Sequence, residues 1–252
     1  MTTSKKTAKA RRSRVRVSFA SRHMSCTYFN DQFDLHKGDY VYVSGKLEGL
    51  RGEVQEVSYT FKIRLSAYEK VTAVVDTRAA GEWKLDGTYL LSFDEGALPA
   101  RRVLSWFRAP SEEENIASDD GFLFQNVRDL VSQKRLFPST LEEGEELMEE
   151  NAVVYLSVND GEGVAVVESR GSSYVVEFTY TDQRFGAVVC DCYGVGLCRH
   201  SVATLLKMQQ LLSLFRDRYA DQWNEHERFS AVRKDVFFSH VLKEENDVVL
   251  KM

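Results

Sequence analysis

The stretch Cys190-Asp191-Cys192-Tyr193-Gly194-Val195-Gly196-Leu197-Cys198-Arg199-His200 holds three of the chain's four cysteines and one of its five histidines. Four soft ligands in the order Cys-x-Cys, five residues, Cys-x-His are the number a closed structural zinc site takes. Val188 and Val189 lead into Cys190 as an apolar run. In an extended segment residues two apart point to one face, so Cys190 and Cys192 can turn toward the same ion. Gly194 and Gly196 permit the tight return. Ser201 to Phe215 contains no Gly or Pro and reads as a helix, whose N-terminal dipole favours thiolate at Cys198. Strand, glycine turn and helix start therefore deliver four ligands to one point. A redox pair would use Cys-x-x-Cys spacing in a thioredoxin-like context. A Cys-His nucleophilic dyad would need an orienting third group. Unliganded buried thiols fit poorly with three in nine residues.

The pattern resembles the SWIM zinc finger, a Cys-x-Cys…Cys-x-His module. The resemblance extends over about residues 135–216. It takes in a helix-like stretch at Leu141–Glu150, strands at Ala152–Val158, Val164–Glu168 and Tyr174–Tyr180, and the helix that His200 begins. It implies Zn2+ as cofactor, with Cys190, Cys192, Cys198 and His200 as ligands, and binding of DNA or protein. The five-residue spacer is compact for the family, and Tyr193 stands where many relatives carry proline.

With 252 residues, 43% of them hydrophobic, the chain has material for one large or two smaller domains. No run approaches a membrane span, and the N-terminus lacks a secretion-signal core. Cysteines grouped as metal ligands, with Cys26 left over, point to a reducing, cytoplasmic setting. The net charge of −5 is unevenly spread. Residues 1–26 carry Lys5, Lys6, Lys9, Arg11, Arg12, Arg14, Arg16 and Arg22 and no acid. Eight of the 33 basic residues thus sit in this arm, and the remaining 25 face 38 acids. A basic arm can contact nucleic-acid phosphates or an acidic partner, or be a solubilising tail. Arg14-Val15-Arg16-Val17-Ser18-Phe19 alternates like a strand.

Next come His36-Lys37-Gly38-Asp39-Tyr40-Val41-Tyr42-Val43-Ser44-Gly45 and Gly49-Leu50-Arg51-Gly52-Glu53-Val54-Gln55-Glu56-Val57. Ser58 to Leu65 then alternates as a half-buried strand. The glycine-punctuated run over 35–65 looks like a KOW motif in an SH3-like barrel, a fold found in several nucleic-acid-associated proteins. Its charges nearly balance, so no strong basic footprint marks it. Tyr40, Tyr42 and Tyr59 are candidates for base stacking, though tyrosines at strand spacing more often pack. Val71–Val75 and Tyr89–Phe93 read as further strands around a turn region at 79–87, and Trp106 and Phe107 as core residues. Pro110 and the polar run to Gly121 read as a break. Phe124, Val127, Leu130 and Val131 follow helical spacing. Ser139 with Glu142, or Thr140 with Glu143, reads as a capping box. After Gly196 no Gly or Pro occurs, so the tail reads as mostly helical.

These readings give an α+β protein: a basic arm (1–26), a small SH3-like β-barrel domain (27–108), a linker (109–121), and a SWIM-like zinc module with helical tail (122–252). No catalytic constellation is visible, so a binding protein is expected rather than an enzyme, with no membrane and no small-molecule substrate. The expected partner is nucleic acid, contacted through Lys5, Lys6, Lys9, Arg11, Arg12, Arg14, Arg16, Lys62, Arg64 and Arg199. The alternative is an adaptor that binds another protein through the zinc module and tail.

Overall fold

A computed structural model describes residues 12–61, 67–110, 122–192, 194, 196–241 and 247–251. The chain is α+β and divides into two compact units, each drawn from two stretches: Met1–Asp76 with Leu104–Glu112, and Thr77–Val103 with Glu113–Met252.

The first unit is a five-stranded antiparallel sheet of β1 (Ser13–Phe19), β2 (Met24–Asn30), β3 (Tyr40–Val43), β4 (Gly52–Ser58) and β5 (Val71–Val74), in the order β2-β1-β4-β3-β5. Alternation sets its inner face: Val15, Val17 and Phe19 are fully buried beside Val41, Val43, Val54 and Val71. Gly52 is glycine because a Cβ there would strike the Val17 side chain and the Phe19 ring. The two outer strands meet at a bridge between Phe29 and Lys70, where Phe29 N donates to Glu69 O at 2.8 Å.

The second unit carries an eight-stranded sheet. Its strands are β6 (Ala80–Asp86), β7 (Tyr89–Ser92), β8 (Val153–Asn159), β9 (Glu162–Ser169), β10 (Ser172–Thr181), β11 (Arg184–Cys190), β12 (Phe229–Arg233) and β13 (Asp247–Lys251). The order is β11-β10-β9-β8-β12-β7-β6-β13, antiparallel throughout except for the pairing of β13 with β6. The helices are α1 (Ala100–Phe107), whose last turn belongs to the first unit, α2 (Asp129–Ser132), α3 (Pro138–Glu149), α4 (Arg199–Arg218), α5 (Ala220–His226) and α6 (Lys234–Val241). Strands β8 to β11 form a meander of β-branched residues joined by two-residue turns. The long α4 covers this meander, burying Val202, Leu205, Leu206 and Phe215 in one core with Leu156, Val158, Ala165, Val167, Val176 and Phe178. Phe215 sits centrally, its ring 4.9 Å from Phe229 and 5.1 Å from Phe93. Among the described residues no helix is long and apolar enough to cross a membrane.

Several expectations need correction. The basic arm does not run to residue 26: Ser13–Phe19 and Met24–Asn30 are strands of the first sheet, because Val15, Val17 and Phe19 alternate along β1 and are buried. Residues 27–108 do not form one domain with a linker at 109–121. β6 and β7 pair into the second unit's sheet, and β6 occupies what reads as a turn region at 79–87. Residues 62–66 and 111–121 lie outside the described residues, and β4 ends at Ser58. Phe124 bridges Phe185 on the outer edge of β11 rather than opening a helix. α3 starts with Pro138 in its first turn and Phe137 as N-cap without a side-chain cap, so the capping box is not used. Pro replaces it cheaply, since the first-turn N–H groups have no helical partner anyway. The tail is mostly helical, as α4, α5 and α6, but it also holds two strands that were not expected. β12 inserts between β7 and β8, and β13 pairs with β6, because pairing partners distant in sequence decide there.

Candidate metal centre

Cys190 is the last residue of β11, opposite Val176 on β10. Asp191 then fixes the exit of the strand: its Oδ1 accepts from Val175 N at 2.9 Å, and its own N–H donates to Val175 O at 3.1 Å. With the backbone anchored there, Cys192 projects into the return loop, where Gly194 N donates to its sulfur at 3.4 Å. Gly196, at φ +72°, supplies the left-handed residue that the turn back toward α4 requires.

Cys198 is the N-cap of α4, with extended backbone, and its sulfur accepts from Ser201 N at 3.5 Å. A thiolate thus takes the place that Ser or Asp usually fills, facing the positive end of a 20-residue helix. The Ser201 hydroxyl lies 3.4 Å from the same sulfur. His200, in the first turn, is 3% exposed, and its ring stacks on Tyr174 at 3.9 Å and 14°. That stacking directs Nδ1 to the sulfurs of Cys190 and Cys198, each 3.8 Å away.

All four ligand atoms lie within 4.8 Å of one another. Tetrahedral zinc, with bonds of about 2.3 Å to sulfur and 2.0–2.1 Å to nitrogen, needs ligand atoms roughly 3.6–3.8 Å apart. The two histidine–sulfur distances already meet this, and side-chain rotation closes the rest. Three thiolates and one imidazole in this geometry suit zinc and not the hard, oxygen-seeking cations. Protein fills all four positions, so the centre offers no open site for a substrate.

The electrostatics agree. Cys198 is drawn down to about 2, first by the hydrogen bond from Cys190 and further by His200 and by Ser201. Cys190 is pushed up, first by that same hydrogen bond and then by burial. These two half-buried thiols oppose each other's ionisation, and a divalent cation between them would favour the thiolate form of both. Ligation through Nδ1 puts the imidazole proton on Nε2. Arg199 lies beside that nitrogen, its Nε 3.4 Å from Nε2, and its Nη1 is 3.7 Å from Glu143 of α3.

The structure brings together the four residues expected as ligands, although Tyr193, in the same loop, lies outside the described residues. Of the expected nucleic-acid residues, Arg12, Arg14, Arg16 and Arg199 are among those described. Lys5, Lys6, Lys9, Arg11, Lys62 and Arg64 lie outside the described residues. Arg12 and Arg16 are exposed in the first unit, while Arg14 lies 3.9 Å from Glu56. Arg199 belongs to the second unit and is paired within the metal centre's surroundings. Tyr42 is a packing residue, 1% exposed with its hydroxyl donating to Ser105 O at 3.0 Å, whereas Tyr59 is 50% exposed. Sequence reasoning missed Tyr174, Asp191, Ser201 and Glu143. Only Ser201 carried a local signal, lying three residues past the cap. No family model, curated protein or solved structure matches the chain.

Proposed function

We propose that this chain is a binding protein whose second unit is a SWIM-type zinc module and whose first unit is a small SH3-like barrel with a KOW-like segment. The observation that carries the reading is the Cys190, Cys192, Cys198, His200 quartet, with ligand atoms within 4.8 Å at the junction of a strand end and a helix start. The meander of β8 to β11 and the helix α3 around it support the resemblance. The Phe29–Lys70 bridge between the outer strands supports the barrel. Zinc here has a folding role: it clamps the end of β11 to the start of α4, and binding free energy of about 10–16 kcal/mol in zinc-finger peptides shows how far such a clamp can drive folding.

The favoured partner is nucleic acid, held through phosphate contacts by the acid-free basic segment ahead of β1, with Arg12 exposed at its described end and Arg16 exposed on β1 itself. Metal analysis of protein purified without added zinc should return about one zinc per chain. Affinity for a nucleic acid should fall steeply between about 50 and 200 mM salt, and lose that slope when residues 1–11 are deleted. Zinc near zero in a folded protein overturns the module; binding indifferent to salt and to the deletion overturns the partner. A second reading, an adaptor for another protein, is favoured by α3. Its Glu142, Glu143, Glu146 and Glu149 are exposed, with Glu143 reaching Arg199 beside the centre. That surface repels a polyanion and suits a basic protein segment. Capture that survives nuclease and is lost on reversing these glutamates would select it.

A further inference from the structure

At the end of α4 remote in sequence from the metal ligands, the second unit has a cleft of about 580 Å³, between the β8–β9 and β10–β11 turns on one side and the α4–α5 corner on the other. This volume is in the range of small-molecule sites. Leu212, Tyr180 and Trp223 give it an apolar floor, and the two aromatic rings lie 6.4 Å apart and tilted. Trp223 is itself fixed by Phe215 at 5.6 Å and Phe229 at 5.9 Å, so its indole is a rigid wall.

The polar groups over that floor are unused. Among the described residues, Arg216 forms no ion pair or hydrogen bond, nor do the side chains of Asp182 and Glu227, and neither the Tyr180 hydroxyl nor Trp223 Nε1 has a partner. Neither polar end is a buried, unsatisfied atom, so both reach solvent, on residues that line the cleft. Burial raises the Tyr180 hydroxyl above its ordinary value, Arg216 opposes this and Glu227 adds to it, so a guanidinium and a carboxylate act on the same hydroxyl without pairing with each other. Opposite charges held apart over an aromatic floor match a molecule with its own opposite charges and an apolar body.

We propose that this cleft binds a free α-amino acid with an apolar or aromatic side chain. Arg216, with the Tyr180 and Trp223 donors, takes its carboxylate; Glu227 and Asp182 take its ammonium; and Leu212 and the rings take its side chain. This departs from the sequence expectation of no small-molecule partner, and it is independent of what the first unit binds. Trp83 and Trp106 are 0% and 1% exposed, so Trp223 is the tryptophan whose emission a ligand in the cleft would change. The experiment titrates the full, zinc-loaded chain with L-phenylalanine and L-leucine, with phenethylamine and 3-phenylpropionate as analogues lacking one charge, and reads tryptophan emission and calorimetric heat. A saturable response to the amino acids is expected, at least tenfold weaker for each analogue, and weakened at least tenfold by Arg216→Gln and by Glu227→Gln at unchanged melting temperature. No saturable response, or an analogue binding as well as the amino acids, overturns the proposal. If the two variants bind as the parent does, the charges assigned here are wrong and it fails as well.

Discussion

At the scale of single residues, two side chains decide more than their neighbours. Tyr174 holds the His200 ring by stacking at 3.9 Å, so its loss frees the imidazole to leave the sulfurs. Tyr174→Ala is expected to weaken zinc about 10–100-fold, the range seen when groups that orient a metal ligand are removed. Tyr174→Phe, which keeps the ring, should leave affinity within a factor of two or so of the parent. Competition with a chromophoric chelator measures both. Lys207 is the second. It lies on α4, 6% exposed, with its ammonium 3.9 Å over the Tyr89 ring and 2.9 Å from Gln210 Oε1. Burial lowers its pKa to about 8. The charged form therefore costs stability in full below about pH 8, and the cost fades as pH rises toward the ordinary lysine value of about 10.4. The shift corresponds to roughly 3 kcal/mol at most, which the Tyr89 ring face offsets by about 1–2 kcal/mol. Lys207→Met should thus stabilise the protein by about 1–2 kcal/mol near neutral pH, and its advantage should shrink between pH 8 and 10. Denaturant melts of the pair across that range check the sign.

At the scale of elements, the contact between α3 and α4 turns on Gly144. A Cβ there would lie 2.6 Å from Val202 Cβ and 3.2 Å from the Ala203 backbone nitrogen, groups that cannot swing aside. Gly144→Ala gains about 1 kcal/mol in helix propensity and meets an overpacking cost of about 1–3 kcal/mol. The expected outcome is a lower melting temperature together with weaker zinc binding, since Val202 follows His200 by two residues. What was legible in the sequence divides along the same physical line. The meander showed itself because its strands are β-branched runs between turn residues, and α4 because twenty residues pass without a breaker. The ligand quartet showed itself because all four residues sit within eleven positions. The Phe229–Arg233 and Asp247–Lys251 segments did not: lacking Gly and Pro is compatible with strand as well as helix, and each becomes a strand by pairing with partners far away in sequence. Tyr174 was invisible for a similar reason. A stack between residues on β10 and α4 leaves no spacing to read.

At the scale of the whole molecule, each unit is assembled from two separated stretches, so the chain cannot be cut at the polar break into halves that both fold. Residues 122–252 expressed alone would lack β7, leave one side of β12 unpaired, and strip Phe215 of its contact with Phe93 at 5.1 Å. This fragment is expected to aggregate even with zinc, and a dispersed proton spectrum from soluble fragment would contradict that. Restoring 77–103 should recover the sheet. The position of β12 also bears on how the chain is made. It pairs Ser230 with Ser92 and with Ser157, so within the sheet the hairpin β6–β7 is hydrogen-bonded to the ligand-bearing meander through a strand synthesised after both. As the polypeptide leaves the ribosome, β7 emerges with an open edge and waits for well over a hundred residues, several seconds or more at about 5–20 residues per second. During that interval the meander and α4 can already close around a zinc ion, while β7 is exposed to wrong partners. A metal ion at the quartet and a chaperone at β7 would then act over different stretches of synthesis, the ion once α4 is made and the chaperone until β12 is.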